Sequence, residues 1–146
     1  MSRALKYDEN KLPWDLLPVE AVEGMLRILQ YGARKYTVCN QCNQKVYPNP
    51  RLDGDPCRDD CPSCGSTDIA TGAHNWTKGF KWTRLIAACY RHLTAVLKKE
   101  DIDPESGELH ASHLMCSVAF LLSHQLRNLG KDDRFSFKNT EDCHEF

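Results

Sequence analysis

The stretch Thr83-Arg-Leu-Ile-Ala-Ala-Cys-Tyr-Arg-His-Leu-Thr-Ala-Val-Leu-Lys-Lys99 decides how the rest of the chain is read. Its apolar residues Leu85, Ile86, Cys89, Leu93, Val96 and Leu97 recur at three and four, the period of a helix with one buried stripe. Upstream, Val19, Val22, Leu26, Leu29 and Ala33 repeat that period, with Asp15 and Pro18 as start signals. Downstream, Asp101-Ile-Asp-Pro-Glu-Ser-Gly107 is a break, because Pro104 restricts its predecessor and Gly107 admits positive φ. A third helix is predicted from near His110, with Leu114, Val118, Leu121, Leu122, Gln125 and Leu129 inward and Gly130 as terminator. Cys89 and Cys116 belong to helix packing. The pattern predicts an all-α core with no internal repeat. Three helices cannot cover all these stripes, so a short extra helix or a helix pair from a second subunit is expected.

The chain has 146 residues and 16.7 kDa, room for one domain with an insertion. Lys and Arg total 19 against 20 for Asp and Glu, which argues against a basic field for nonspecific nucleic-acid binding. A mean hydropathy of -0.55 implies a thin core, so a dimer or tetramer is the expected working unit. No apolar run approaches the ~18 residues that cross a bilayer, and the start, Met1-Ser-Arg-Ala-Leu-Lys, is charged where a signal peptide is apolar. A cytoplasmic location is expected, where thiols stay reduced. The eight cysteines are therefore read as metal ligands or buried small residues before disulfides.

Five of the eight fall in residues 37–72, a stretch crowded with Asn, Asp, Pro and Gly that reads as an insertion between the first two helices. Cys39-Asn-Gln-Cys42 and Cys61-Pro-Ser-Cys64-Gly65 are two Cys-x-x-Cys pairs separated by 18 residues, the spacing of a zinc ribbon. Each two-residue spacer makes a turn that aims both sulfurs at one ion, and Gly65 or Asn43 tolerates the kink that follows. Cys57 offers a competing closure with Cys61, but Pro-Ser followed by Gly makes the better turn. Four thiolates leave no open position, so this Zn²⁺ is expected to be structural. Zinc ribbons also grip nucleic acid, and a binding module without catalysis is the alternative function. Lys45, Arg51 and Arg58 against Asp53, Asp55, Asp59 and Asp60 argue against it. Cys57 and Cys143 stay unassigned.

The polar faces carry the remaining signals. Glu20 and Glu23 share a face with Arg27, which suits a solvated surface as well as a metal site. Arg84, Ala88, Arg91 and Ala95 form one stripe on the second helix, and two arginines beside His92 suit phosphate oxygens or a surface ion-pair network. His110, His113, Ser117 and His124 line the third helix beside a cluster containing Glu100, Asp103 and Glu105, where carboxylates suit Mg²⁺ or Mn²⁺ and imidazoles an outer shell. The same acids also suit a helix cap. In His74-Asn-Trp-Thr-Lys-Gly-Phe-Lys-Trp82, Trp76 and Trp82 offer stacking surfaces or core, Asn75 a base contact, and Lys78 or Lys81 a phosphate contact. Glycine-rich phosphate loops, Ser-His-Asp sets and adjacent His-Asp pairs are missing from the sequence.

Taken in order, the blocks Lys6-Tyr-Asp, Lys11-Leu-Pro-Trp-Asp-Leu-Leu-Pro18, Tyr31-Gly-Ala-Arg-Lys-Tyr36 and Asn75-Trp-Thr-Lys-Gly resemble one family. Trp82-Thr-Arg-Leu, Arg91-His-Leu, Glu100-Asp-Ile-Asp-Pro-Glu-Ser-Gly107 and His110-x-x-His113 extend the likeness. It is the phage dATP/dGTP diphosphohydrolase family of the MazZ type, similar in turn to the MazG-like nucleotide pyrophosphohydrolases. The resemblance implies a MazG-like helical bundle over 1–36 and 73–130, interrupted by the zinc ribbon at 37–72 and followed by a tail at 131–146. It implies that Glu20, Glu23, Glu100 and Asp103 hold catalytic Mg²⁺ or Mn²⁺, with His110 or His113 accepting a proton or supporting a ligand. Lys35, Arg84 and Arg91 would neutralise phosphates. The implied reaction converts dGTP or dATP to the monophosphate and diphosphate. In a phage whose DNA carries 2-aminoadenine, it would supply dGMP and lower the dATP pool.

Overall fold

A computed structural model describes residues 11–51 and 58–136. Lys6 to Asp8 of the family-like blocks, Asp53, Asp55, Cys57 and Cys143 lie outside the described residues. Among the described residues there are three α-helices, α1 (Val19–Lys35), α2 (Trp82–Leu97) and α3 (His110–Arg127), and two short strands, β1 (Val38–Cys39) and β2 (Ile69–Ala70). Two 3-10 turns, Trp14–Leu16 and Asn75–Lys78, precede α1 and α2. The protein is thus mostly helical. None of the described helices is long and apolar enough to cross a membrane.

α1 starts directly after Pro18, whose fixed φ suits a helix entry, and ends with Arg34 and Lys35 against its negative end. α3 is the shared element, packed most extensively on α2 and next on α1. Gly24 makes the α1 approach possible: a Cβ there would stand 2.6 Å from the Ser112 hydroxyl. The helix that was expected to stop at Gly130 stops earlier, at Asn128, which takes the left-handed conformation at φ 52° while Leu129 N–H donates to the His124 carbonyl at 2.9 Å. Gly130 serves the next contact instead, since a Cβ on it would lie 2.0 Å from the Phe80 carbonyl oxygen.

The start of the tail is docked onto α2. Lys131 bridges to Lys81, Trp82 N–H donates to the Lys131 carbonyl at 3.0 Å, and the Trp82 indole donates to the Leu129 carbonyl at 2.9 Å. α2 has no side-chain cap from its own neighbour Lys81. Asp133 supplies one from a distance, accepting from Thr83 N–H at 3.0 Å and from its hydroxyl at 2.8 Å.

The apolar stripes are only partly covered. Ile28, Tyr31, Trp82, Leu85, Ala95 and Cys116 are buried, together with the polar His113 and His124. Val19, Leu26, Leu93, Leu97, Val118 and Leu122, expected inward from their spacing, are exposed, Leu97 at 83%. Periodicity located the helices and placed Leu85 and Cys116 inside, but misassigned part of the inner face of α3, where His113 and His124 are buried while Val118 and Leu122 face outward. No fourth α-helix covers the outward side among the described residues.

Thr37 and Gly72, the two ends of the stretch expected as an insertion, are tied together beside the end of α1. The Thr37 hydroxyl donates to the Ala33 carbonyl at 2.7 Å and accepts from Gly72 N–H at 2.8 Å. β1 and β2 then pair antiparallel, Val38 with Ala70 and Cys39 with Ile69. Cys39, Val46 and Cys61 form a second small core, flanked by Cys42, Tyr47 and Ile69.

Candidate functional site

A cleft of about 800 Å³ opens between the C-terminal half of α1, the Asn75–Lys78 turn, the inner faces of α2 and α3, and the 101–109 loop. That loop is a closed hairpin. Ile102 bridges to Leu109, Asp103 N–H donates to the Glu108 carbonyl at 2.8 Å, and Gly107 N–H donates to the Asp103 carbonyl at 2.8 Å with Gly107 at φ 80°. Glu105 N–H donates to Asp103 Oδ1 at 2.9 Å, leaving the carboxylate aimed by its own turn.

Four ionisable side chains meet there. His113 Nε2 lies 3.2 Å from Asp103 Oδ2 and 2.7 Å from Ser106 Oγ, and a carboxylate only accepts, so Nε2 carries the proton. His92 Nδ1 and His110 Nδ1 are 2.9 Å apart, and the His92 ring stacks on His113 with centroids 4.7 Å apart. Burial, reinforced by the neighbouring imidazoles His113 and His110, pushes His92 down to about 4. Burial also lowers His113, against the opposing pull of Asp103. Both rings are therefore neutral near pH 7, with lone pairs available.

The cleft's cations are Lys35, Arg84 and Arg91. Lys35 forms an ion pair with Glu105; burial is the largest single influence and works against its charge, but the Glu105 hydrogen bond together with the charges of Tyr31, Glu105 and Tyr36 holds the ammonium above its ordinary value. The same bond holds the Glu105 carboxyl low. Beside them the Tyr31 hydroxyl is buried next to the Glu105 carboxylate, and burial raises its pKa. A buried hydroxyl in a cleft wall is also placed to meet a ligand oxygen. Trp76 lines the opposite end, stacked on Phe120 at 5.5 Å.

Of the residues expected from the sequence, Asp103, His110, His113, Lys35, Asn75, Trp76, Arg84 and Arg91 line this cleft. Glu20, Glu23, Glu100 and Lys78 do not; all four are exposed. Trp82 is core, fixed by its indole bond to Leu129, and His124 is fully buried as a structural group, its Nδ1 bonded to the Phe120 carbonyl at 2.7 Å and its Nε2 accepting from Phe80 N–H at 3.1 Å. Tyr31, Ser106, Phe80 and Phe120 escaped the sequence reading. Tyr31 carried a signal, since it opens the block Tyr31-Gly-Ala-Arg-Lys-Tyr36; Ser106 and the two phenylalanines carried none beyond their position.

Two groups of metal-donor atoms gather among the described residues. Cys39, Cys42, Cys61 and Cys64 form one. Its Sγ separations of 3.6 and 3.7 Å are close to the about 3.8 Å edge of a tetrahedron with Zn–S near 2.3 Å, so the donors fit zinc. Backbone N–H groups of Cys42 and Ser63 draw Cys39 and Cys61 down, Cys61 to about 6. At Cys42 and Cys64, backbone N–H groups of Gln44 and Ser66 pull down too, but burial and the neighbouring sulfurs win and raise both. Four such thiols ionise together only around a cation. The second group is His92, Asp103 and His110. Glu20, Glu23 and Glu100 join neither, so as arranged they do not fit a Mg²⁺ held jointly with Asp103.

Arg51, between the two cysteine pairs in sequence, also touches the 101–109 loop. It hydrogen-bonds the Pro104 carbonyl and, at 3.4 Å, the Glu105 carbonyl, while its own carbonyl accepts from Arg34 at 3.0 Å.

None of the curated proteins or solved structures matches the chain. The family model described as dATP/dGTP diphosphohydrolase, N-terminal, matches residues 1–134, and the chain therefore belongs to the dATP/dGTP diphosphohydrolase family.

Proposed function

We propose that this chain hydrolyses dGTP and dATP to the nucleoside monophosphate and diphosphate in the cleft beside Asp103. The observation that carries the reading is one cavity holding three cations, an aromatic platform and an Asp103–His113–Ser106 chain, within the family match. Lys35, Arg84 and Arg91 neutralise the triphosphate, Tyr31 offers its hydroxyl, and Trp76 with Asn75 receives the purine. Water attacks the α-phosphorus, the α–β bridging P–O bond breaks, and its electron pair leaves with diphosphate. His113, oriented through Nε2 by Asp103 and Ser106, keeps Nδ1 as the acceptor for the water's proton. A divalent cation, Mg²⁺ or Mn²⁺, belongs to this reading; Asp103 and its neighbouring imidazoles would hold it, and it would supply charge neutralisation and an activated water.

The helical core is read as a MazG-like bundle, with Zn²⁺ at the four cysteines as a folding element. The exposed apolar stripes are read as an interface between copies in a dimer or tetramer, in the cytoplasm of a phage host. There, removing dATP and producing dGMP would serve synthesis of DNA that contains 2-aminoadenine. Incubation with each dNTP and Mg²⁺ or Mn²⁺, with products separated by ion exchange, tests the reaction. dGMP or dAMP with diphosphate is expected; deoxynucleoside with inorganic triphosphate, or no product, refutes it.

A further inference from the structure

We propose that His92, Asp103 and His110 form a metal centre for a first-row transition ion such as Co²⁺ or Mn²⁺, which it takes in preference to Mg²⁺. This deepens the hydrolase reading and rests on it only for the ion's use at substrate; the site stands on its donors.

One donor atom from each residue lies within 4.8 Å of the others, although the three come from α2, the 101–109 hairpin and the first turn of α3. The separation of the imidazoles is informative. Two nitrogens at the Zn–N distance of about 2.0–2.1 Å stand roughly 2.9 Å apart at right angles around an ion and roughly 3.3 Å apart at the tetrahedral angle. His92 Nδ1 and His110 Nδ1 are 2.9 Å apart. Asp103 is supported as a ligand is: one oxygen takes Glu105 N–H at 2.9 Å and the other faces His113 Nε2 at 3.2 Å, which Ser106 fixes in turn at 2.7 Å. Such outer contacts orient first ligands and are a regular part of metal sites.

Two imidazoles and one carboxylate select the ion. Mg²⁺ keeps oxygen ligands and water, whereas imidazole suits the later first-row ions; Mn²⁺, weakest of that series, is the spectroscopic probe for the site and the carboxylate suits it. Three protein ligands leave further positions open, and they open on the cleft lined by Lys35, Arg84 and Arg91. A nucleotide phosphate completing the shell would thus meet the ion and the cations together. The competing reading of the same geometry is a hydrogen bond between two neutral histidines.

The test is a Mn²⁺ titration of the full chain with zinc retained, in excess Mg²⁺ and without nucleotide, following the electron paramagnetic resonance of free aqueous Mn²⁺. A single Mn²⁺ per chain is expected to bind. His92→Gln and His110→Gln, checked for parent-like zinc content and helical circular dichroism, should weaken it about a hundredfold, at least the loss that outer-shell partners produce. If either imidazole variant loses its helical spectrum, Asp103→Asn, nearly isosteric, carries the same comparison. The proposal is overturned by no binding in the parent chain under that excess of Mg²⁺, by unchanged binding in the three variants, or by loss in Glu20→Gln or Glu100→Gln in their place. Because nucleotide is left out, failure to bind metal overturns the site, and failure to release diphosphate overturns the hydrolase reading.

Discussion

Trp76 and Trp82 sit six positions apart in one short segment, and both are large, aromatic and within two residues of a lysine. Only the cleft separates them: Trp76 lines it against Phe120, whereas Trp82 is buried with its indole committed to the Leu129 carbonyl. If Trp76 receives the purine, Trp76→Ala should raise KM for dGTP and dATP about 5- to 150-fold, the about 1–3 kcal/mol of a base stack, with a smaller change in kcat. Steady-state kinetics checks this, and an unchanged KM removes Trp76 from the site. Cys116 gives a second residue-scale expectation. Burial pushes its thiol up to about 12. The folded value lies above the unfolded one of about 8.5, so the stability tied to the neutral thiol is present below about pH 8.5 and is lost as pH rises toward 12. At pH 8, iodoacetamide should spare Cys116 in the folded chain and label it after denaturation, read by peptide mass; equal labelling in both states contradicts its burial.

At the scale of elements, α2 depends on a residue far along the chain. The Thr83 backbone N–H holds the Asp133 carboxyl below its usual range and, with the Thr83 hydroxyl, ties the chain after α3 to the start of α2. Asp133→Ala should lower Tm by a few degrees in thermal unfolding, more than Asp132→Ala, whose carboxylate pairs only with its neighbour Arg134 among the described residues. The insertion is coupled to the core in the same manner. Arg51 holds the carbonyls of Pro104 and Glu105, the turn that aims Asp103. Stripping zinc with a chelator should therefore speed amide exchange over 37–51 and 101–109 while the middle of α3 stays protected. Faster exchange confined to 37–51 would show that the insertion does not support the hairpin. The helices and the cysteine pairs were legible because they are local: a three-and-four period and a Cys-x-x-Cys turn each involve neighbours in sequence. The Thr83–Asp133 cap and the Arg51 contacts span 50 or more residues and leave no local mark.

For the whole molecule, each of the three helices leaves leucines or valines exposed, among them Leu26, Leu97 and Leu122. If copies of the chain cover them, light scattering should return a multiple of 16.7 kDa, and Leu122→Glu should shift that mass downward. A monomeric mass for the parent chain would refute the assembly. The sequence by itself determined that the core is helical, where each helix lies, that four cysteines could share one ion, and that the chain resembles a nucleotide-hydrolysing family. It misassigned part of the inner face of α3, because period reports which residues share a face and not what that face meets. Tertiary structure alone decided that His92, Asp103 and His110 converge while Glu20, Glu23 and Glu100 stay apart. The physical reason is distance: donor atoms share an ion within a few ångströms, and only the packing of α2, the 101–109 hairpin and α3 brings residues from three elements that close.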